Sequence, residues 1–147
     1  RWRSGCLPGW WGVDPVERLV IPPACRQVML DDVLRRLPDE ACGLLAGIPP
    51  RVERVVPVTN IAASPVRFLM EPQEQVRALH EFDQQGLELL AIYHSHPHGP
   101  AHPSETDLRE FAYPGTVMLI WSESGGHWRL DGFTIENRQY TAIKLEA

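Results

Sequence analysis

Leu89-Leu90-Ala91-Ile92-Tyr93 is an unbroken apolar run inside the stretch from Leu87 to His96, and no other feature of the chain restricts its fold as much. A strand with one wet face alternates polar and apolar residues, so a run without alternation implies cover on both faces. That places Leu87–His96 in the middle of a sheet with helices above and below. Thr116 to Ser122 reads as a second buried strand, and Ala41 to Gly47 as a third, stopped by Pro49-Pro50. Val52 to Asn60 is a valine-rich strand in which Pro57 marks an edge or a bulge, and Arg67 to Met70 reads as a short strand. Leu30, Val33, Leu34 and Leu37 follow helical spacing up to Pro38. Pro72 opens a second helix with Val76, Leu79 and Phe82 on one face and Gly86 closing it, and Ser104 opens a third that runs to about Phe111. After a Ser124-Gly125-Gly126 turn, Trp128 to Leu145 supplies two or three further strands. The expected fold is α/β, with a mixed β-sheet sandwiched by helices in a single domain over residues 21–147. Residues 1–20 read as an irregular tail in which Trp2, Trp10 and Trp11, set among glycines and prolines, would lie on the domain as an aromatic clasp.

Composition removes several classes of function. The 147 residues make one domain, and 14 Lys and Arg against 19 Asp and Glu give a net charge of -5, the wrong sign for a phosphate-reading nucleic-acid binder. No apolar run approaches the ~20 residues that span a bilayer. Cys6, Cys25 and Cys42 are odd in number and form no C-x-x-C pair, which supports neither a disulfide framework nor a cysteine zinc site and suits a reducing cytoplasm. The first residues carry no initiator Met and no apolar signal core, as in a processed end or a fragment.

The chemistry gathers in residues 94–107, His94-Ser95-His96-Pro97-His98-Gly99-Pro100-Ala101-His102-Pro103-Ser104-Glu105-Thr106-Asp107. Side chains repeat every second residue along a strand, so His94 and His96 share a face at the end of the apolar strand, where α/β sheets present ligands. Two imidazoles aimed at one point are natural zinc ligands that lack a third, and Asp107 can fold back to supply it, leaving the fourth position of a catalytic site for water. Ser104 and Asp107 also have the spacing of a helix capping box, and the two roles are compatible. His98 and His102 lie in the loop beyond Pro97 as rim residues, while His80 and His127 read as surface positions. Such a centre needs a base, and Glu40, standing directly before the buried strand, is the best placed carboxylate, although a solvated turn acid would look the same in isolation.

Glu40, then His94-Ser95-His96, seven residues, Ser104, two residues and Asp107 resembles the signature of the JAMM (MPN-plus) metalloproteases, and the order of helices and strands agrees over about residues 20–145. The resemblance implies a cytidine-deaminase-like fold and one zinc ion on His94, His96 and Asp107. It further implies Glu40 as general acid/base and Ser104 as a hydrogen-bond donor to the oxyanion. The implied reaction is hydrolysis of a peptide or isopeptide bond after the C-terminal Gly-Gly of a ubiquitin-like protein. Short spacing between Glu40 and His94, with no long insertion after Asp107, resembles the compact prokaryotic members that act on sulfur-carrier proteins. Cys42 matches their pattern, although a small buried thiol is the simpler role for it. A metal-free scaffold module is the competing reading, and the complete ligand set speaks against it. A base deaminase would need His-x-Glu and Pro-Cys-x-x-Cys, which are absent; a RadC-like domain would carry Asn where Ser95 stands.

Overall fold

The computed structural model describes residues 16–147. In chain order the elements are β1 (Arg18–Val20), α1 (Pro23–Arg36), β2 (Cys42–Ile48), β3 (Arg51–Val58), α2 (Pro72–Gln84), β4 (Glu88–His96), α3 (Glu105–Glu110), β5 (Val117–Ser124), β6 (His127–Glu136) and β7 (Gln139–Glu146). The strands lie in the order β1-β3-β2-β4-β5-β6-β7, and β1 also pairs with β7, so the sheet curls into a closed circuit. It is mixed: β4 and β5 run parallel, while β2 pairs antiparallel with β3 and β4.

Both faces are covered, as the apolar run in β4 requires. Ala91 and Tyr93 enter the larger core with Leu45, Leu119 and Trp121, against Met29 and Val33 of α1. Ile92, one residue out of phase, joins Leu44, Ala46 and Val58 against Ala78 and Phe82 of α2. The Tyr93 ring lies so close over the neighbouring strand that a Cβ on Gly43 would stand 2.2 Å from it. Its hydroxyl donates to Asp32 of α1 at 2.7 Å, and Asp32, 1 % exposed, also accepts from Arg35 and Arg36. This buried, charge-satisfied acid pins α1 to the sheet.

Several expectations need correction. Arg18–Val20 is not tail: it forms β1 and makes parallel pairs with β7, because Leu19 buries its side chain in the core. Residues 1–15 of the expected tail, with its three tryptophans and Cys6, lie outside the described residues. Arg67–Met70 forms no strand, only a single bridge between Asn60 and Met70. On α1 the buried positions are Met29, Asp32 and Val33, with Leu34 and Leu37 turned out, and on α2 Val76 is 65 % exposed. Periodicity gave the helices their existence but not their rotation, since packing against a curved sheet selects the face. Pro57 does mark an edge: β3 pairs with β2 along its length but with β1 only at Arg51.

Candidate metal centre

β4 is buried to its last residue, so its alternation delivers His94 and His96 to the α2 side of the sheet at the strand end, 0 % and 5 % exposed. The ring of His94 is stacked on Phe68, with centroids 4.6 Å apart. Beyond the strand, Pro97–Pro103 turns the chain back, and α3 begins with a complete capping box. Ser104 Oγ accepts from the Asp107 amide at 3.0 Å, while Asp107 Oδ2 accepts from the Ser104 amide at 2.9 Å. The cap locks the Asp107 rotamer, and the same Oδ2 then lies 3.0 Å from both His94 Nε2 and His96 Nε2. The two Nε2 atoms are themselves 3.0 Å apart. Capping and convergence therefore coexist in one carboxylate.

Three donor atoms at the corners of a 3.0 Å triangle fit one small cation. Tetrahedral zinc with bonds of about 2.0–2.1 Å separates its ligand atoms by roughly 3.3 Å, and two imidazole nitrogens with one carboxylate oxygen form a donor set that zinc takes in catalytic sites. The electrostatics agree. Burial alone would raise the Asp107 carboxyl, but the contacts with His94 and His96 outweigh it and hold the group well below the usual range. Burial depresses His94, whereas in His96 the same penalty is overcome by Asp107 and the Pro100 carbonyl, which lift it above its ordinary value.

Glu40 sits just ahead of β2, whose first residue, Cys42, is paired across the sheet with His94. Its backbone is held on every side: the amide donates to Ser64 O at 2.9 Å, and the carbonyl accepts from Asn60 Nδ2 at 3.0 Å. The following amide, of Ala41, donates to Ser95 Oγ at 2.8 Å. Its side chain, 3 % exposed, has one carboxyl oxygen with no hydrogen-bond partner among the described residues, yet a carboxyl oxygen lies within 4.8 Å of the imidazole nitrogens. Burial pushes this carboxyl up to about 8, with His96 opposing the rise and Asp107 adding to it. A rigidly held, unpaired acid beside two imidazoles is costly to maintain, which is the mark of a reactive group.

Of the remaining sequence candidates, His98 is exposed and His102 stacks on Tyr140 at 5.9 Å, so neither joins the cluster. Cys42 is a buried thiol pushed up to about 12 by burial, its Sγ donating to Val58 O. Sequence reading missed Asn60, Phe68 and the hydroxyl role of Ser95. Asn60 uses its whole side chain, donating to Glu40 O and Arg67 O and accepting from the amides of Ala62 and Leu69. An Asn at a strand end before a Pro-containing loop was the available signal. The loop it organises forms one wall of a cleft of about 380 Å³ beside Asp107, lined by Phe68, Leu69, Met70, Phe111 and Tyr113 among others.

A buried acid, two imidazoles and a carboxylate gather at a strand end of a helix-covered mixed sheet, a group that could hold a metal ion. Residues 22–131 match the family described as prokaryotic homologs of the JAB domain, and the chain belongs to that family. The chain is 41 % identical over 109 residues, 74 % of its length and 70 % of the relative's, to a probable TtuB-protein conjugate cleaving protease of Thermus thermophilus. It is 33 % identical over 111 residues, 74 % of its length and 76 % of the relative's, to the CysO-cysteine peptidase of Mycobacterium tuberculosis. Among solved structures it resembles protein DSY2949 of Desulfitobacterium hafniense, with a TM-score of 0.78 and 32 % identity over 86 % of this chain and 90 % of that one. A JAB1/MPN domain protein of Archaeoglobus fulgidus shares the fold, with a TM-score of 0.55 and 19 % identity over 90 % of this chain and 98 % of that one. The chain is accordingly a hydrolase of the peptidase class on the JAB/MPN fold. No helix among the described residues is long and apolar enough to cross a membrane.

Proposed function

We propose that this chain is a zinc-dependent peptidase that hydrolyses the amide bond after the C-terminal Gly-Gly tail of a ubiquitin-like sulfur-carrier protein. One observation carries the reading: three donor atoms converge at 3.0 Å beside a buried acid with an unpaired oxygen. His94, His96 and Asp107 hold the ion, one per chain, which when bound acidifies water and polarises the scissile carbonyl. Glu40 takes the proton and hands it to the leaving amine, a transfer for which its buried carboxyl, with one oxygen unpaired beside the imidazoles, is placed. The Ser104 hydroxyl, fixed by the Asp107 amide, turns its own hydrogen toward the developing oxyanion.

The substrate class rests on the relatives named for cleaving a TtuB-protein conjugate and a CysO-cysteine bond. An extended tail suits the surroundings. The β3 edge lacks a strand partner from Arg54 onward among the described residues, and its Val58 end pairs with Cys42, two residues from Glu40. Strand addition there supplies backbone hydrogen bonds that tolerate sequence variation, with only glycine slim enough to pass between the Pro97–Pro100 loop and the metal. The catalytic unit comprises residues 21–147 together with β1, and Cys25 and Cys42, both free thiols, suit the reducing cytoplasm. The test is incubation of the zinc-loaded protein with a folded carrier extended by a peptide after Gly-Gly. Intact mass should show cut at that bond and protection by a chelator; an untouched carrier would overturn the assignment.

A further inference from the structure

We propose that Gly99 is a positioning residue, which lets the turn after β4 close on His96 so that the Pro100 carbonyl dictates which ring nitrogen faces the metal. The inference deepens the reading above and relies on it only for the identity of the ion. His96 Nδ1 lies 2.7 Å from Pro100 O. Pro100 O and Asp107 Oδ2 both only accept, but the carbonyl is nearer and Oδ2 already takes the Ser104 amide and faces His94 Nε2, so Nδ1 carries the ring hydrogen and a neutral His96 presents Nε2 as a lone pair. That nitrogen is the one 3.0 Å from His94 Nε2 and Asp107 Oδ2. An imidazole prepared in this way binds a cation without first exchanging its proton.

Gly99 makes the approach possible. Its amide donates to His96 O at 3.3 Å, closing a tight turn over the ring, and a Cβ at this position would stand 3.0 Å from His96 Cβ and 3.2 Å from Cγ. Among the described residues the glycines with positive φ are Gly86, Gly115, Gly125 and Gly126, so the backbone of Gly99 needs no left-handed conformation. What glycine supplies is therefore closeness and not a left-handed turn. Alanine would push the loop and the ring apart by a few tenths of an ångström, enough to stretch the 2.7 Å hydrogen bond to about 3.0 Å and remove its advantage over Asp107 Oδ2 at the other ring nitrogen. His94 differs: its Nδ1 is buried without a hydrogen-bond partner among the described residues, and its ring is held by the Phe68 stack. Its hydrogen therefore lies on Nε2, toward Asp107 Oδ2, and must leave before a cation binds, so of the two imidazoles only His96 is set with a lone pair toward the site.

The experiment uses the full chain, labelled with ¹⁵N and stripped of metal, in long-range ¹H–¹⁵N spectra at alkaline pH. Zinc affinity is measured in parallel by competition with a chromophoric chelator. Wild type should show His96 with hydrogen on Nδ1. Gly99→Ala should show a mixed or inverted tautomer and bind zinc measurably more weakly, with the ~10–100-fold cost of losing such a partner outright as the ceiling, and its melting temperature little changed. A purely structural glycine would move stability and leave the tautomer alone. Hydrogen on Nε2 in wild type, or equal tautomer and zinc affinity in Gly99→Ala, overturns the proposal. Should the variant not fold, the wild-type tautomer decides alone. A wild-type chain that takes up no zinc would overturn the metal reading, while the tautomer still judges Gly99.

Discussion

Glu40→Gln in the metal-free protein should be more stable than wild type at pH 8 and about equal to it at pH 5. The buried Glu40 carboxyl rises from 4.5 to about 8 on folding, mainly through loss of water. Between those values the unfolded chain has released the proton that the folded chain still holds, so the folded state loses stability as pH increases through that window. At about 1.4 kcal/mol per tenfold, the rise is worth up to roughly 5 kcal/mol, a ceiling that relaxation of the site lowers. Glutamine matches the neutral acid in shape and has nothing to ionise, so the pH dependence specific to Glu40 disappears, while terms from His96 and Asp107 remain in both proteins. Urea unfolding of chelator-treated wild type and variant at the two pH values gives the difference directly. With metal restored, the same variant should keep its zinc and lose ~10²–10⁴-fold in hydrolysis, because an amide cannot carry the proton. Parallel stability curves for the two metal-free proteins would refute the claim that a neutral, desolvated acid is stored beside the histidines.

Ser104→Ala should lower kcat less than Glu40→Gln and cost about 1 kcal/mol of stability from the lost α3 cap, read from kinetics and unfolding of the same sample. Cys42, pushed up to about 12, should stay unlabelled by a thiol reagent at pH 8 until the protein is unfolded, as peptide mass mapping will show. A carrier with Ala-Ala in place of Gly-Gly should be cut far more slowly than the parent; equal rates by intact mass would remove the narrow-tail model.

The parts of the site that were legible in the sequence are those governed by a fixed period. His94 and His96 share a face because strand geometry leaves no alternative once β4 is known to be a strand, and the i, i+3 spacing of a helix cap ties Asp107 to Ser104. Glu40 was legible only beside the histidines, since its burial depends on Asn60 and Ser64, which are distant in sequence and non-periodic. The same reason hid Phe68 against His94 and Gly99 against His96, contacts made by loops whose course no hydropathy pattern encodes. β1 was missed because a three-residue strand is too short to show alternation, and its pairing with β7 joins opposite ends of the chain. The rotation of α1 escaped because its deepest polar residue, Asp32, is buried by Tyr93, Arg35 and Arg36 and not by apolar spacing.

The central claim is that His94, His96 and Asp107 converge to hold a single ion. Metal content by mass spectrometry on wild type, His94→Ala and Asp107→Ala tests it most directly, with circular dichroism to verify that each remains folded. The expected result is about one zinc per wild-type chain and almost none in either variant, since each variant removes one of the three donor atoms that converge at 3.0 Å. Full zinc occupancy in both folded variants would contradict it.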